Sequence, residues 1–247
     1  MQAVPEMVLL FTDFGIGSHY VAQVKARLLS LGVSQPVIEL CSDAPRFNPR
    51  AAAYLLASFR KQLPEHVLYL AVVDPGVGTP RRALLARDEQ RLFVAPDNGL
   101  LSGVARRSED FRVQSIELDP AGRSRTFDGR DLFAPAAAML CRGEAVPGHH
   151  LPNNELLGRD WPDSLAEVVY IDAYGNAVTG LSPEALDGKG YLMANGWKVP
   201  PAATFAEVPV GSPFWYINSN EMVEISVNQG SAADRLHLEI GTPLGVA

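Results

Sequence analysis

What most narrows the fold is a set of short, wholly apolar runs, each broken off by a turn that carries an aspartate. Residues 7–11 read MVLLF and stop at Thr12-Asp13-Phe14-Gly15, and residues 67–73 read VLYLAVV and stop at Asp74-Pro75-Gly76. Residues 92–95 read LFVA and stop at Pro96-Asp97-Asn98-Gly99. Runs of this length without polar alternation mark strands buried on both faces. Between them lie helical patterns: residues 20–31, closed by the natural C-cap Gly32, and residues 50–61 ahead of Pro64. A short strand at 37–40 and a helix at 132–141 complete the series. Strands alternating with helices imply βαβ units, an α/β class and a mostly parallel sheet. Ligands of such sheets lie beyond the carboxyl ends of the strands, so Asp13, Asp74 and Asp97 are expected to face one crevice.

Past Pro147 the texture changes. Residues 151–165 are irregular and polar, and from 166 onward short strand-like runs (167–171, 191–193, 214–217, 222–226) are punctuated by Gly, Pro and Asn. The expected organisation is an N-terminal α/β domain over 1–150, a linker over 151–165, and a small β-rich domain over 166–247. The composition, 47% hydrophobic and 20% charged, is that of an ordered globule and excludes a disordered chain. The net charge is −7, and Arg81-Arg82, Arg106-Arg107 and Arg123/Arg125 are the densest basic stretches. No basic stripe suits a duplex or an anionic membrane, so neither nucleic acid nor membrane is an expected partner. Two cysteines, Cys41 and Cys141, cannot build a structural zinc site alone. The run at 7–11 has no basic residues before it and is too short for a signal peptide or a membrane span, so a cytoplasmic chain with reduced thiols is expected.

Familiar motifs fail on inspection. Gly15-Ile16-Gly17 follows a strand, but Tyr20 stands where a dinucleotide fingerprint needs its third glycine. Gly76-Val77-Gly78 is not followed by Gly-Lys-Ser/Thr, so no P-loop forms. Asp13-Phe14-Gly15 has no other kinase element with it, and no Gly-x-Ser-x-Gly elbow occurs. Of the five histidines only His149-His150 are adjacent, and neighbouring side chains of an extended loop diverge; no metal is expected.

What remains is six polar turns: TDFG at 12–15, VDPGVGTPRR at 73–82, PDNGLLS at 96–102, TFDGRDLFAP at 126–135, DAYGN at 172–176 and INSN at 217–220. Any one such Asp or Asn is an ordinary turn or cap residue. Together they hold more side-chain oxygen than capping requires, as a site for a small polar ligand does. The set, with VNQGSAA at 227–233, resembles the S-adenosylmethionine hydroxide adenosyltransferases, relatives of the fluorinase and chlorinase enzymes, over nearly the whole chain.

The resemblance implies a Rossmann-like three-layer α/β domain joined to a small C-terminal β-barrel, and a homotrimer with S-adenosyl-L-methionine (SAM) held at subunit interfaces as substrate, without a separate cofactor. By the resemblance Asp13 would grip the ribose hydroxyls and Phe47 would lie against the ribose. Ser18 falls where the family often has an acidic contact to the methionine end. Asp172, helped by Ser219, would hold the methionine ammonium. Asn176 would read the adenine edge and Phe205 would flank it, with the backbone around Asn228 and Gln229 completing that pocket. Asp74 and Arg81 match two members of a water-holding Asp–Arg–His set, while Asp128 stands at the position of the histidine. Asn220 and Glu221 also depart from the family pattern.

The chemistry is attack at C5′ with methionine leaving as a neutral thioether. Asp74 is placed to accept the proton of a bound water, and Arg81 to stabilise the forming hydroxide. Asp128 beside Asp74 is expected to make two carboxylates share one water. A non-catalytic module that binds SAM or adenosine, and a halide-using 5′-halo-5′-deoxyadenosine synthase, stay open as alternatives.

Overall fold

The computed structural model describes residues 4–186 and 190–247, which separate into two compact units. One holds the chain up to Ala57 and Leu63–Trp161; the other holds Ser58–Gln62 and Pro162–Ala247.

The first unit is built on a seven-stranded sheet. Its elements are β1 (Met7–Thr12), α1 (His19–Ser30), β2 (Val37–Cys41), α2 (Pro49–Ser58), β3 (Val67–Val72), β4 (Ala83–Asp88), β5 (Arg91–Pro96), α3 (Ser102–Arg107), β6 (Phe111–Ser115), α4 (Ala134–Cys141) and β7 (His150–Leu151). The sheet order is β2-β1-β3-β5-β4-β6-β7. Strands β2, β1, β3 and β5 run parallel, as the apolar runs predict. β4, β6 and β7 add an antiparallel half, so the sheet is mixed rather than mostly parallel. β4 and β5 form a tight hairpin whose closing pair is Asp88 opposite Arg91, with Glu89 at φ 54° in the turn. Its charged end hides a strand whose other residues are mostly buried.

Period-two alternation divides the buried strand residues between two faces. Val8, Leu10, Leu68, Leu70, Leu92 and Val94 pack in one cluster with Val21, Val24 and Leu28 of α1 and the small residues of α4. The opposite side chains include Tyr69 and Phe93, whose rings stack 4.6 Å apart. The alanines of α2 are buried, and they let α3 approach closely: a Cβ on Gly103 would lie 2.7 Å from the Ala53 carbonyl oxygen.

Residues 151–161 lie in this unit. Leu151 pairs with Val113, Asn153 Nδ2 donates to the Phe111 carbonyl (2.9 Å), and Arg106 Nη1 donates to that of Gly158 (3.1 Å).

The second unit contains β8 (Leu165–Ile171), β9 (Ala177–Gly180), β10 (Leu192–Ala194), β11 (Trp197–Val199), β12 (Pro213–Ile217), β13 (Val223–Val227), α5 (Ala232–Leu236) and β14 (Leu244–Val246). Its sheets are β12-β13-β9-β8 and β11-β10-β14. Backbone bonds join their edges: Gly241 N–H to Val168 O (2.8 Å) and Val168 N–H to Thr242 O (3.0 Å) on one side, Trp215 N–H to Pro200 O (2.9 Å) and Ala202 N–H to Trp215 O (3.0 Å) on the other. These bonds close the strands into a small barrel around Val168, Leu192, Val199, Val223 and Ile225. Among the described residues no helix is long and apolar enough to cross a membrane.

Gly103 separates packing from propensity. Alanine there should stabilise an open helix by roughly 0.5–1 kcal/mol. Against the α2 backbone it should instead lower the urea midpoint, measured by far-UV circular dichroism.

Candidate active site

Asp13 and Asp74 follow directly from the carboxyl ends of β1 and β3, which are neighbours in the sheet. Asp128 arrives from the loop ahead of a π-helical turn, Gly129–Phe133. All three line a cavity of about 500 Å³. Phe14, Tyr20 and Phe127 form an aromatic wall, their rings 5.2–6.0 Å apart, and Arg46 and Phe47 also border the space. Asp97 does not join them. Arg82 Nε draws its Oδ2 away (2.7 Å), and the Leu157 N–H donates to its Oδ1 (3.5 Å).

Asp74 and Asp128 belong to an alternating chain of charges that runs behind the cavity wall. Arg81 Nε donates to both Asp74 oxygens (2.8 Å each), and its Nη2 donates to Asp74 Oδ2 and to Asp128 Oδ2, the latter at 2.7 Å. Arg123 closes the chain, with Nε and Nη2 on Asp128 Oδ1 at 3.0 and 2.9 Å. The side chains of Asp74, Asp128 and Arg81 are 4%, 2% and 9% exposed, so the charges compensate one another rather than relying on solvent. The sequence sets the two carboxylates side by side; the structure adds a guanidinium that bridges them. Arg81 stands between them, and it is absent from the residues that line the cavity.

The loops meet through glycine. Gly78 adopts φ +83°, and a Cβ there would lie 2.7 Å from the Arg125 carbonyl oxygen, so the DPGVG turn can close on the 120–128 loop only without a side chain. Gly76 N–H donates to Asp74 Oδ1 (3.2 Å), fixing that carboxylate from its own loop.

Asp13 Oδ2 accepts the Phe47 N–H (3.1 Å), and Phe47, held at φ 56°, is 76% exposed. Burial pushes the Asp13 carboxyl above its ordinary value; the Phe47 N–H opposes this, the charge of Asp74 adds to it, and Arg46 opposes it. Ser18 is the N-cap of α1, its Oγ accepting the Tyr20 N–H at 3.2 Å.

In the second unit Asp172 and Asn176 are drawn together across one turn. Asp172 Oδ1 accepts the N–H groups of Tyr174 and Asn176, and its Oδ2 accepts Asn176 Nδ2, all at 2.9 Å. Phe205 stands edge-on to Phe214 (4.9 Å) and Tyr216 (5.5 Å). Ser219 sits in a turn held by Asn218, whose Oδ1 accepts the N–H groups of Asn220 (2.9 Å) and Met222 (3.0 Å). Asn228 spends both peptide groups within the unit, on Ser212 O (3.2 Å) and Gly211 N–H (2.8 Å), and its Nδ2 on Val208 O (2.6 Å); next to it Gln229 takes φ 54°.

Sequence reading passed over Arg123, Arg46, the aromatic wall and Glu224. Buried Glu224 accepts Tyr216 Oη (2.5 Å) and Asn218 Nδ2 (2.7 Å); burial first, then this bond, raises the Tyr216 phenol above its usual range. For Arg123 the signal lies in the sequence, five residues ahead of Asp128 in one loop, though an exposed basic cluster looks the same. Among the described residues no group of three or more His, Cys, Asp or Glu is arranged to hold a metal ion.

Comparison with known proteins shows the family. A model described as the SAM hydroxide adenosyltransferase N-terminal domain matches residues 8–149, and one described as the C-terminal domain of the same family matches residues 166–245. The chain belongs to this family. It is 37% identical over 255 residues to the (R)-S-adenosyl-L-methionine hydrolase of Thermus thermophilus, covering 96% of this chain and 98% of that one. The enzyme of the same name from Salinispora arenicola is 36% identical, with 95% of each chain covered. A fluorinase from Actinopolyspora mzabensis is more distant, at 23% identity over 97% of this chain and 96% of its own. Among family-like folds, a solved structure of an uncharacterized conserved protein from Thermotoga maritima superposes with a TM-score of 0.85 at 30% identity, covering 96% of this chain and 98% of that one.

The raised Asp13 carboxyl has a stability consequence. Its neutral form is favoured in the fold, so its contribution is most favourable at acid pH and declines as pH rises through the folded-state value. Asp13→Asn should raise the melting temperature of the ligand-free protein at pH 7, by up to a few degrees, and the gain should vanish near pH 3. Scanning calorimetry across pH checks both limits.

Proposed function

We propose that this chain hydrolyses SAM to adenosine and L-methionine by in-line attack of water at C5′. The observation that carries the reading is the pair of carboxylates, Asp74 and Asp128, set on one cavity by a shared guanidinium. The hydrolase relatives at 36–37% identity support it.

Water attacking a sulfonium gains positive charge as the carbon–sulfur bond breaks and its electron pair passes to sulfur. Carboxylates fixed beside that water stabilise the developing charge without reorganising. The water oxygen bonds to C5′, methionine leaves as a thioether, and Asp74 takes the proton before releasing it to solvent. Arg81, behind both carboxylates, orients them rather than meeting the nucleophile. Asp13 suits the ribose diol, since a carboxylate accepting two hydroxyls forms charge-assisted bonds.

A halide fits this cavity poorly. An unpaired carboxylate at about 4 Å and an effective dielectric of 20 repels an anion by about 4 kcal/mol; Arg81 and Arg123 reduce this repulsion, but neither lines the cavity to offer the halide a donor. A side chain in place of Gly129 would bring a Cβ to 3.1 Å from Phe14 Cζ.

Asp172, Asn176, Phe205, Ser219 and the Gln229 backbone are assigned to the methionine and adenine ends, and Ser18 to the loop beside the methionine. The reading includes a homotrimer with ligand held between copies. Ile16, Phe47 and Tyr174, each at least 76% exposed, are large apolar groups that such contacts would cover. A cytoplasmic setting suits the free thiols Cys41 and Cys141, pushed by burial up to about 12 and about 11.

Incubation with SAM, followed by chromatography, should give equimolar adenosine and methionine, unchanged by added chloride. Asp74→Asn should lower kcat by roughly 10²–10⁴-fold. SAM bound yet recovered intact after hours would instead make the protein a binding module. Light scattering should report three copies per particle.

A further inference from the structure

We propose that Arg123 is a positioning residue for this reaction: acting through Asp128, it holds Arg81, and with it Asp74, in the arrangement that water attack needs. The inference rests on the hydrolase reading of the cavity. Arg123 is not among the cavity-lining residues, so it acts on substrate only through its partner.

Three observations carry it. The first is division of labour on Asp128. Two nitrogens of Arg123 take Oδ1 at 3.0 and 2.9 Å, which occupies that oxygen and leaves Oδ2 to Arg81 Nη2, 2.7 Å away. Each carboxylate oxygen thus has its own guanidinium, and these charge-assisted bonds hold Asp128 from both ends.

The second is charge. Asp74, Asp128 and Arg81 sum to −1 in a site whose side chains are at most 9% exposed, and Arg123 brings the sum to zero. Without it, one guanidinium would have to serve two buried carboxylates, and Asp128 would draw Arg81 from Asp74 or turn towards solvent.

The third is anchorage. The Arg123 N–H donates to Pro120 O (3.2 Å), and the next residue's N–H, that of Ser124, donates to Asp131 Oδ2 (2.9 Å). The loop that carries the guanidinium is thus tied to the π-helical turn that follows Asp128. Arg125, two residues on, has the same charge and no such tie to Asp128.

The test compares steady-state kinetics of the full-length wild type, Arg123→Gln, Arg123→Lys, Arg125→Gln, Asp128→Asn and the Arg123→Gln/Asp128→Asn double variant, with near-UV circular dichroism as the check on folding. Arg123→Gln should lower kcat about tenfold and leave KM within about twofold, the pattern of an interaction that counts only in the transition state. Arg123→Lys should recover part of the loss, and Arg125→Gln should match wild type. The double variant should be no slower than Asp128→Asn alone, because Arg123 has nothing left to hold. Wild-type kcat in Arg123→Gln, an equal loss in Arg125→Gln, an effect confined to KM, or losses that multiply in the double variant would each overturn the assignment. If Arg123→Gln does not fold, a folded Arg123→Lys with unchanged kcat and a wild-type-like Arg123→Lys/Asp128→Asn ratio overturns it as well. Absence of adenosine from the wild type removes the hydrolase reading itself; turnover by wild type with an unaffected Arg123→Gln removes this inference alone.

Discussion

The guanidinium of Arg81, shared between Asp74 and Asp128, is the contact on which the site depends. Two carboxylates with side chains 4% and 2% exposed lie side by side, and the guanidinium between them compensates their charge. A planar fork meets both at once, where a lysine ammonium would pair as a point charge. The ring of Phe133, 5.3 Å from Arg81 Cζ, supports that fork from the turn following Asp128. The demands on the backbone follow. The DPGVG loop must fold back far enough for Arg81 to reach Asp74, seven residues earlier, and Gly78 makes the fold-back possible by lying against the Arg125 carbonyl.

The proposed sulfonium ligand bears on the same charges. Asp13 adds a third carboxylate to the cavity, and its raised proton affinity records the cost of burying it there, with the charge of Asp74 adding to that cost. A protein that keeps such a group in place of a neutral one gives up some stability of the empty fold, a familiar trade at binding sites. A sulfonium ligand would offset that loss, since its positive charge pairs with the carboxylates that line the cavity.

The parallel half of the sheet was legible in the sequence because β1, β3 and β5 are buried on both faces and read as unbroken apolar runs. The antiparallel half was not, because β4 and β6 carry Arg87 and Arg112 on exposed positions opposite one another, and β7 is two residues long. The second unit is closed by backbone bonds of Val168 and Trp215, and such bonds leave no trace in residue type. Asp13, Asp74 and Asp128 could be picked out because turn chemistry and family resemblance both mark them. The link between Asp74 and Asp128 could not, since neighbouring carboxylates suggest a shared water and only coordinates reveal the cation between them.

Arg81 and Arg82 show why charge clusters in a sequence are poor guides to sites. They enter β4 together, and successive side chains of an extended chain leave on opposite sides. Arg81 turns to Asp74 and Asp128. Arg82 turns to Asp97 Oδ2 (2.7 Å), Glu155 Oε2 (3.1 Å) and the Glu155 carbonyl (2.9 Å), tethering the 153–158 segment to the end of the sheet. Asp97 was an equally good candidate for the cavity on sequence grounds, because it too ends a buried strand. Its diversion follows from β4 lying beside β5: the antiparallel neighbour places Arg82, not solvent or ligand, within reach of that carboxylate. Chain direction in a single strand thus decides which aspartates of the set face the cavity and which brace it.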